Sequence, residues 1–132
     1  MARILIVDDD DPFRCVLKAS LERMGHVVSD TNEGRKALAL YEPEAFDLVI
    51  TDLIMPGKEG IETIMDLRKL NPRVKIIAMS GGGRVTSVDY LQIARQVGAK
   101  QVLAKPFPYE ELKLAIEAVL APPAGADGAA RS

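Results

Sequence analysis

The sequence predicts a doubly wound α/β fold, in which a (βα)5 chain forms a five-stranded parallel sheet. Three observations lead to this fold class. Five short apolar segments alternate along the 132 residues with segments whose apolar side chains recur at helical spacing. The short segments lack the polar and apolar alternation of a half-solvated sheet, which indicates strands buried on both faces. Each link between successive strands is long enough for a crossover, so the strands are expected to be parallel.

The predicted elements follow one another in strict alternation. The strands are expected at residues 3–7, 26–29, 48–50, 74–79 and 101–104. The helices are expected at residues 12–24, 33–41, 61–70, 85–97 and 109–120. Pro12 suits a first helical turn, Pro43 ends a helix before the central strand, and Gly98 suits a left-handed helix end. One domain over residues 1–120 is therefore expected, followed by a disordered tail at 121–132 that is rich in Ala, Pro and Gly.

The composition excludes several classes of protein. Hydrophobic residues make up 48% and charged residues 27% of the chain, and no apolar stretch approaches the ~20 residues of a membrane span. The first residues leave no room for a secretory signal, so a cytoplasmic location is expected. A net charge of −2 argues against direct contact with nucleic acid. Cys15, the only cysteine, falls in an apolar helical pattern and is expected to be a buried thiol without a chemical role.

Chemically active side chains follow four of the five predicted strands. They are Asp8 and Asp9 after the first strand, Asp52 after the third, Ser80 after the fourth and Lys105 after the fifth. The carboxyl ends of parallel strands share one edge, where open α/β sheets bind ligands. Three carboxylates in one crevice repel one another unless a cation lies among them, and Mg²⁺ is the natural choice for oxygen ligands. A carboxylate, a metal ion, an ammonium and a hydroxyl are together suited to accepting a phosphoryl group.

These motifs resemble a two-component response-regulator receiver domain, a CheY-like member of the flavodoxin-like folds. The resemblance covers residues 1–120. It is carried by four motifs in order, namely the run from Ile4 to Asp9, the run from Asp47 to Gly57, the run from Ile76 to Gly81, and the triplet Lys105-Pro106-Phe107.

The resemblance implies a role for each matching position. Asp52 would accept the phosphoryl group, and Lys105 would pair with it. Asp9, Asp52 and the backbone carbonyl of Ile54 would bind Mg²⁺ directly, whereas Asp8 would bind it through water. The chain would catalyse only its own phosphorylation and dephosphorylation, and it would otherwise not be an enzyme.

The resemblance also implies partners and a switch. The phosphoryl donor would be a sensor histidine kinase or a histidine phosphotransfer protein. Ser80 would move toward the phosphorylated aspartate and alter the surface formed by residues 85–97, 101–104 and 109–120, to which an output protein or domain would bind. Two features depart from the family pattern: Val102 replaces an aromatic residue found in many members, and residues 81–87 form a long, glycine-rich segment. The residues after 120 are not expected to form an output domain, so the chain is either a stand-alone receiver or a piece of a longer protein.

Other functions fit the sequence less well. A haloacid-dehalogenase-type phosphatase also forms an aspartyl phosphate and would use Asp8 and Asp10 as its first motif. That family places a further acidic pair after the lysine, whereas only Glu110 and Glu111 follow here, and they lie on the last predicted helix. A mononucleotide-binding flavodoxin-like protein would need glycines and hydroxyls where this chain has acids. A scaffold that is never phosphorylated would not need the complete set of acids.

Overall fold

Five parallel strands form a single sheet in the computed structural model, which describes residues 1–41, 46–53, 59–80, 92, 96 and 98–121. The strands are β1 (Arg3–Val7), β2 (Val27–Thr31), β3 (Leu48–Asp52), β4 (Ile76–Ser80) and β5 (Gln101–Ala104). Their order across the sheet is β2-β1-β3-β4-β5, so β3 is the central strand. The predicted doubly wound α/β fold is confirmed.

Four helices have defined bounds in the described residues. They are α1 (Asp11–Arg23), α2 (Gly34–Tyr41), α3 (Glu59–Leu70) and the C-terminal helix (Tyr109–Leu120). Of the predicted helix at 85–97, only Gln92 and Gln96 are described, and both are helical. The proposed tail lies outside the described residues except for residue 121. None of the described helices combines the length and the apolar character needed to cross a bilayer.

The alternation of side chains along the strands divides the core into two layers. Ile4 and Ile6 of β1 face one layer, which α1 and the C-terminal helix cover. Leu5 and Val7 face the opposite layer, which α2 and α3 cover. All five residues of β3 are buried, and so are all five of β4. The central strands are therefore inaccessible to solvent along their length, and a ligand can approach them only at their ends.

The start of α1 follows from the acidic run after β1. Asp10 is the N-cap residue, and its side chain accepts a hydrogen bond from the backbone N–H of Phe13 at 3.1 Å. Pro12 lies in the first turn, as predicted. The expectation of a buried Cys15 is wrong, because Leu17 and Leu21 define the buried face of α1 and Cys15 lies on its exposed side.

Three strands differ from the predicted bounds. β3 continues to Asp52, beyond the predicted end at residue 50, because its pairing with β4 extends to the partners Asp52 and Met79. β2 continues to Thr31, beyond the predicted end at residue 29, because its pairing with β1 extends to the partners Val7 and Thr31. The last residues of β2 are polar, as an edge strand allows, so the apolar pattern in the sequence does not show where this strand ends. β4 begins at Ile76 and not at Val74, because Val74 donates its backbone N–H to Asn71 O at 3.0 Å in a turn.

Candidate functional site

The acidic run after β1 holds one buried and one exposed carboxylate. Asp8 is fully buried, and its backbone N–H donates to Thr31 O at the end of β2 at 3.1 Å. The Oδ1 atom of Asp8 accepts a hydrogen bond from the backbone N–H of Asp10 at 2.9 Å. Asp9 is exposed to solvent. The sharp turn from strand to helix thus directs two neighbouring carboxylates into different environments.

Asp52 is the last residue of the central strand. It is 4% exposed, and β1 lies directly beside β3 in the sheet. The chain leaves β1 toward β2 on one side and returns to β3 on the other, so the crevice above β1 and β3 is the topological switch point at which such sheets bind ligands. The sheet topology therefore places Asp52 next to the acids that follow β1.

Lys105 follows β5 and connects the two buried acids. Its Nζ atom lies 2.7 Å from Asp8 Oδ2 and 3.1 Å from Asp52 Oδ2. The same ammonium lies 4.3 Å from the centre of the Phe13 ring, and Phe13 in turn packs edge-to-face against Phe107. Burial by itself lowers the pKa of Lys105, but the carboxylates of Asp8 and Asp52 outweigh it and raise the pKa above its ordinary value of 10.5. Lys105 is therefore a charged group at neutral pH.

Ser80 is the last residue of β4 and is 8% exposed. Its carbonyl accepts a hydrogen bond from the backbone N–H of Lys105 at 2.9 Å, which ties the ends of β4 and β5 together. The predicted Mg²⁺ ligand Ile54 and the glycine-rich segment 81–87 lie outside the described residues. Of the six predicted site residues, five are described, and all five lie at the carboxyl edge of the sheet.

Three of these residues form a group suited to a metal ion. Carboxylate oxygens of Asp8, Asp9 and Asp52 all lie within 4.8 Å of one another. Two like charges about 4 Å apart repel by about 4 kcal/mol at an effective dielectric constant of about 20. Lys105 offsets only part of this repulsion, because its one ammonium contacts Asp8 and Asp52 while Asp9 adds a third negative charge. The local excess of negative charge and the all-oxygen donor set match a hard divalent cation such as Mg²⁺.

Asp8 and Asp52 share their positive partner. The Oδ2 atom of Asp8 is buried, and Lys105 Nζ contacts it at 2.7 Å while also contacting Asp52 Oδ2 at 3.1 Å. One ammonium therefore serves two buried carboxylates, and buried charges are stable only when they are compensated. The residues present therefore fit a Mg²⁺ ion.

The residues that surround this group were not predicted from the sequence. Phe13 contacts Lys105, and Arg14 binds the backbone of Asp8, its Nη1 atom donating to Asp8 O at 2.7 Å. The only sequence signal was their position in the first turns of the helix after the acids. Which neighbours those side chains reach depends on how α1 packs on the sheet.

Residues 4–117 match the sequence profile described as the response regulator receiver domain. The chain belongs to this family. The receiver domain serves two-component response regulators, and Mg²⁺ binding is general in the family.

Individual relatives support the assignment. The transcriptional regulatory protein ZraR of Escherichia coli is 35% identical over 118 residues, which cover 89% of this chain and 26% of ZraR. The sporulation initiation phosphotransferase F of Bacillus subtilis is 30% identical over 118 residues, which cover 89% of this chain and 93% of that protein. The receiver chain thus spans about a quarter of the length of ZraR, but nearly all of the shorter relative.

A solved structure shows the same fold. The chemotaxis protein CheY4 of Vibrio cholerae superposes with a TM-score of 0.83 and 32% sequence identity, covering 91% of this receiver and 99% of CheY4. The family match and this structure agree with the receiver interpretation, and neither supports the haloacid-dehalogenase alternative.

Proposed function

We propose that this receiver accepts a phosphoryl group on Asp52. The observation that carries the proposal is the placement of Asp52 at the end of the central strand, with Lys105 Nζ 3.1 Å from its Oδ2 and with carboxylate oxygens of Asp8 and Asp9 within 4.8 Å. A carboxylate is a weak nucleophile that needs positive charge around it when it attacks a phosphate dianion. Lys105 and a metal ion held by the acids would provide that charge.

The reaction is a phosphoryl transfer. A carboxylate oxygen of Asp52 attacks phosphorus, and the bond from phosphorus to the leaving nitrogen of phosphohistidine breaks. The electron pair of that bond departs with the nitrogen, and the product is the mixed anhydride of the Asp52 carboxylate and phosphate. Lys105 gives up its ion pair with Asp52 and binds a phosphoryl oxygen. The hydroxyl of Ser80 binds another phosphoryl oxygen and transmits the change.

The metal would be held by Asp9, Asp52 and the carbonyl of Ile54 directly, and by Asp8 through water. A bound Mg²⁺ supplies neutralisation of the charge on the transferred phosphoryl oxygens. Asp9 is the exposed member of the group, so its carboxylate can replace bound water with the ion, and no buried side chain has to move into solvent. The hydrogen bond from the backbone of Asp10 holds Asp8 Oδ1 in place.

The proposal extends to partners and context. The donor is a sensor histidine kinase or a histidine phosphotransfer protein, and the output protein or domain binds the surface formed by residues 85–97, β5 and the C-terminal helix. The domain comprises residues 1–120, followed by a disordered tail at 121–132, and it acts in the cytoplasm without contacting nucleic acid itself. The only reactions it catalyses are its own phosphorylation and dephosphorylation.

The experiment is incubation with acetyl phosphate and Mg²⁺, followed by intact-mass measurement. The wild type is expected to gain the mass of one phosphoryl group, and chelation of Mg²⁺ or the variant Asp52→Asn should abolish the gain. Asp47→Asn serves as the control, because Asp47 precedes the same strand at the opposite edge of the sheet. A wild type that gains no mass, or that steadily hydrolyses phosphate esters, would contradict the proposal.

A further inference from the structure

Arg14 joins three parts of the chain at the rim of the acid group. Its Nη1 atom donates to the backbone carbonyl of Asp8 at 2.7 Å and lies 2.7 Å from Asp11 Oδ1. Its Nε atom donates to Asp30 Oδ2, near the end of β2, at 2.8 Å. The Arg14 side chain is only 16% exposed. One guanidinium thus links the acidic run after β1, the first turn of α1 and the neighbouring strand.

These contacts complete the restraint of the Asp8 backbone. The N–H of Asp8 donates to Thr31 O on β2, and its C=O accepts from Arg14, so both polar backbone groups of this residue are bonded. Asp30, which anchors Arg14, lies directly before Thr31. The two peptides that flank Asp8 are therefore both tied to β2: the Val7–Asp8 peptide directly, and the Asp8–Asp9 peptide through Arg14 and Asp30. The Asp8–Asp9 peptide determines the directions in which the carboxylates of Asp8 and Asp9 point.

The anchor of Arg14 is itself well stabilised. Asp30 also pairs with Lys18, one turn further along α1, at 3.3 Å. Burial raises the pKa of Asp30, but its hydrogen bonds to Arg14 and Lys18 and their positive charges outweigh it and hold the pKa below its ordinary value. Asp30 is therefore ionised at neutral pH, and Lys18 shares this partner without touching Asp8 in the described contacts.

A lysine could not replace Arg14 in this position. The Nε and Nη1 atoms of a guanidinium are held in a rigid plane and point at two acceptors at once, whereas an ammonium presents its donors from a single atom. Groups that orient metal ligands typically change metal affinity by about 10- to 100-fold when they are replaced. The fixed geometry of Arg14, and not only its charge, is suited to such an orienting role.

We infer that Arg14, anchored by Asp30, is a positioning residue that orients the Asp8–Asp9 peptide for Mg²⁺ binding. This inference rests on the proposed function of the acid group. Charge and geometry make opposite predictions for Arg14→Met. Removal of a nearby positive charge should strengthen binding of a cation, whereas loss of the restraint should weaken it.

The test measures Mg²⁺ dissociation constants by calorimetry for the wild type, Arg14→Lys, Arg14→Met and Lys18→Met, at a temperature at which every variant is folded. Hydrogen exchange of the peptide covering residues 8–11 is measured without metal on the same proteins. Lys18→Met is the matched control. It removes another partner of Asp30 from the same helix, but it leaves the hydrogen bond from Arg14 to Asp8 O in place. Arg14→Lys separates geometry from charge.

Both Arg14 variants are expected to bind Mg²⁺ about tenfold more weakly and to exchange faster at residues 8–11, while Lys18→Met behaves as the wild type. Wild-type affinity in Arg14→Lys, or tighter binding in Arg14→Met, would overturn the inference. Failure of the wild type to bind Mg²⁺ would instead contradict the proposed function, and in that case exchange at residues 8–11 alone would decide whether Arg14 restrains the peptide.

Discussion

Polar side chains have different kinds of partner at the two edges of the sheet, where the parallel strands begin (the amino edge) and where they end (the carboxyl edge). At the amino edge two polar side chains bind backbone groups: His26 Nδ1 accepts from the N–H of Ala2 at 3.0 Å, and Asp47 Oδ2 accepts from the N–H of Arg3 at 2.8 Å. At the carboxyl edge, Asp8 and Asp52 are buried side by side and share one ammonium. His26 and Asp47 thus have backbone partners at the amino edge, whereas the carboxyl edge holds a group of three carboxylates.

The amino edge also holds a cavity. Its volume is about 510 Å³, and His26, Asp47 and Asn71 are among the residues that line it. Asn71 is engaged there as well, since its side chain donates to the Tyr41 hydroxyl at 2.8 Å and accepts from the N–H of Arg73 at 3.0 Å. What distinguishes the carboxyl edge among the described residues is the pair of buried carboxylates that share one ammonium.

The largest expected difference between the edges concerns Lys105. Lys105→Met leaves Asp8 and Asp52 buried without their shared counter-charge, so the metal-free free energy of unfolding should fall by about 3–5 kcal/mol. Asp47→Asn at the amino edge should cost about 1 kcal/mol, because only one hydrogen bond is weakened. Urea unfolding with and without Mg²⁺ measures both effects.

Magnesium should narrow the gap between Lys105→Met and the wild type, because the ion then supplies the missing positive charge. The interpretation of the carboxyl edge fails if Lys105→Met costs no more than Asp47→Asn, or if Mg²⁺ leaves the gap between Lys105→Met and the wild type unchanged.

A smaller effect is expected from Asp9. This residue is exposed but belongs to the like-charged group, so Asp9→Asn should leave the metal-free protein at least as stable as the wild type. Mg²⁺ at about 100 times its dissociation constant should stabilise the wild type by about 2.7 kcal/mol, and Asp9→Asn should lose most of this gain. Thermal unfolding over a Mg²⁺ series provides the measurement, with Asp47→Asn as a control that keeps the gain. Full stabilisation of Asp9→Asn by Mg²⁺ would remove Asp9 from the ligand set.

The smallest expected effects concern the dependence of stability on pH, which should differ between the two edges. Burial, and then the charge of the N-terminus, lowers the pKa of His26 below its ordinary value of 6.5. The unfolded chain therefore takes up this proton first, and stability falls as pH drops below about 6.5. Asp30 has a pKa below its ordinary value of 3.8, so its contribution is present above that pH and is lost as pH falls further through the folded-state pKa.

Melting temperatures recorded from about pH 7 to about pH 3 resolve these two windows. His26→Gln should flatten the curve only in the upper window, and Asp30→Asn only in the lower one. If His26→Gln flattened the curve of melting temperature in the lower pH window, or Asp30→Asn flattened it in the upper one, the assignment of the titrating groups would be wrong.

Much of this organisation could be predicted from the sequence. The bounds of β1, β5 and the C-terminal helix agree with the prediction, because each apolar pattern ends abruptly at charged or turn-forming residues. The meeting of Asp8, Asp9 and Asp52 could be expected because parallel strands share a carboxyl edge.

What escaped prediction depends on packing between elements. The contact of Phe13 with Lys105 and the bridge from Arg14 to Asp30 are set by the placement of α1 on the sheet, which no local pattern specifies. The exposure of Cys15 has the same origin, since an apolar-looking residue next to the buried stripe can face either way. The role of Ile54 and the consequence of the glycine-rich segment 81–87 remain predictions.

The central claim is that the carboxylate at the end of β3, and no other, receives the phosphoryl group. After reaction with acetyl phosphate and Mg²⁺, borohydride reduces an aspartyl phosphate to homoserine, and peptide mass spectrometry then locates the reduced residue. The account predicts reduction at position 52 alone, and none when Mg²⁺ is chelated. Reduction at position 8 or 9 in the wild type, or none at any position, would contradict it.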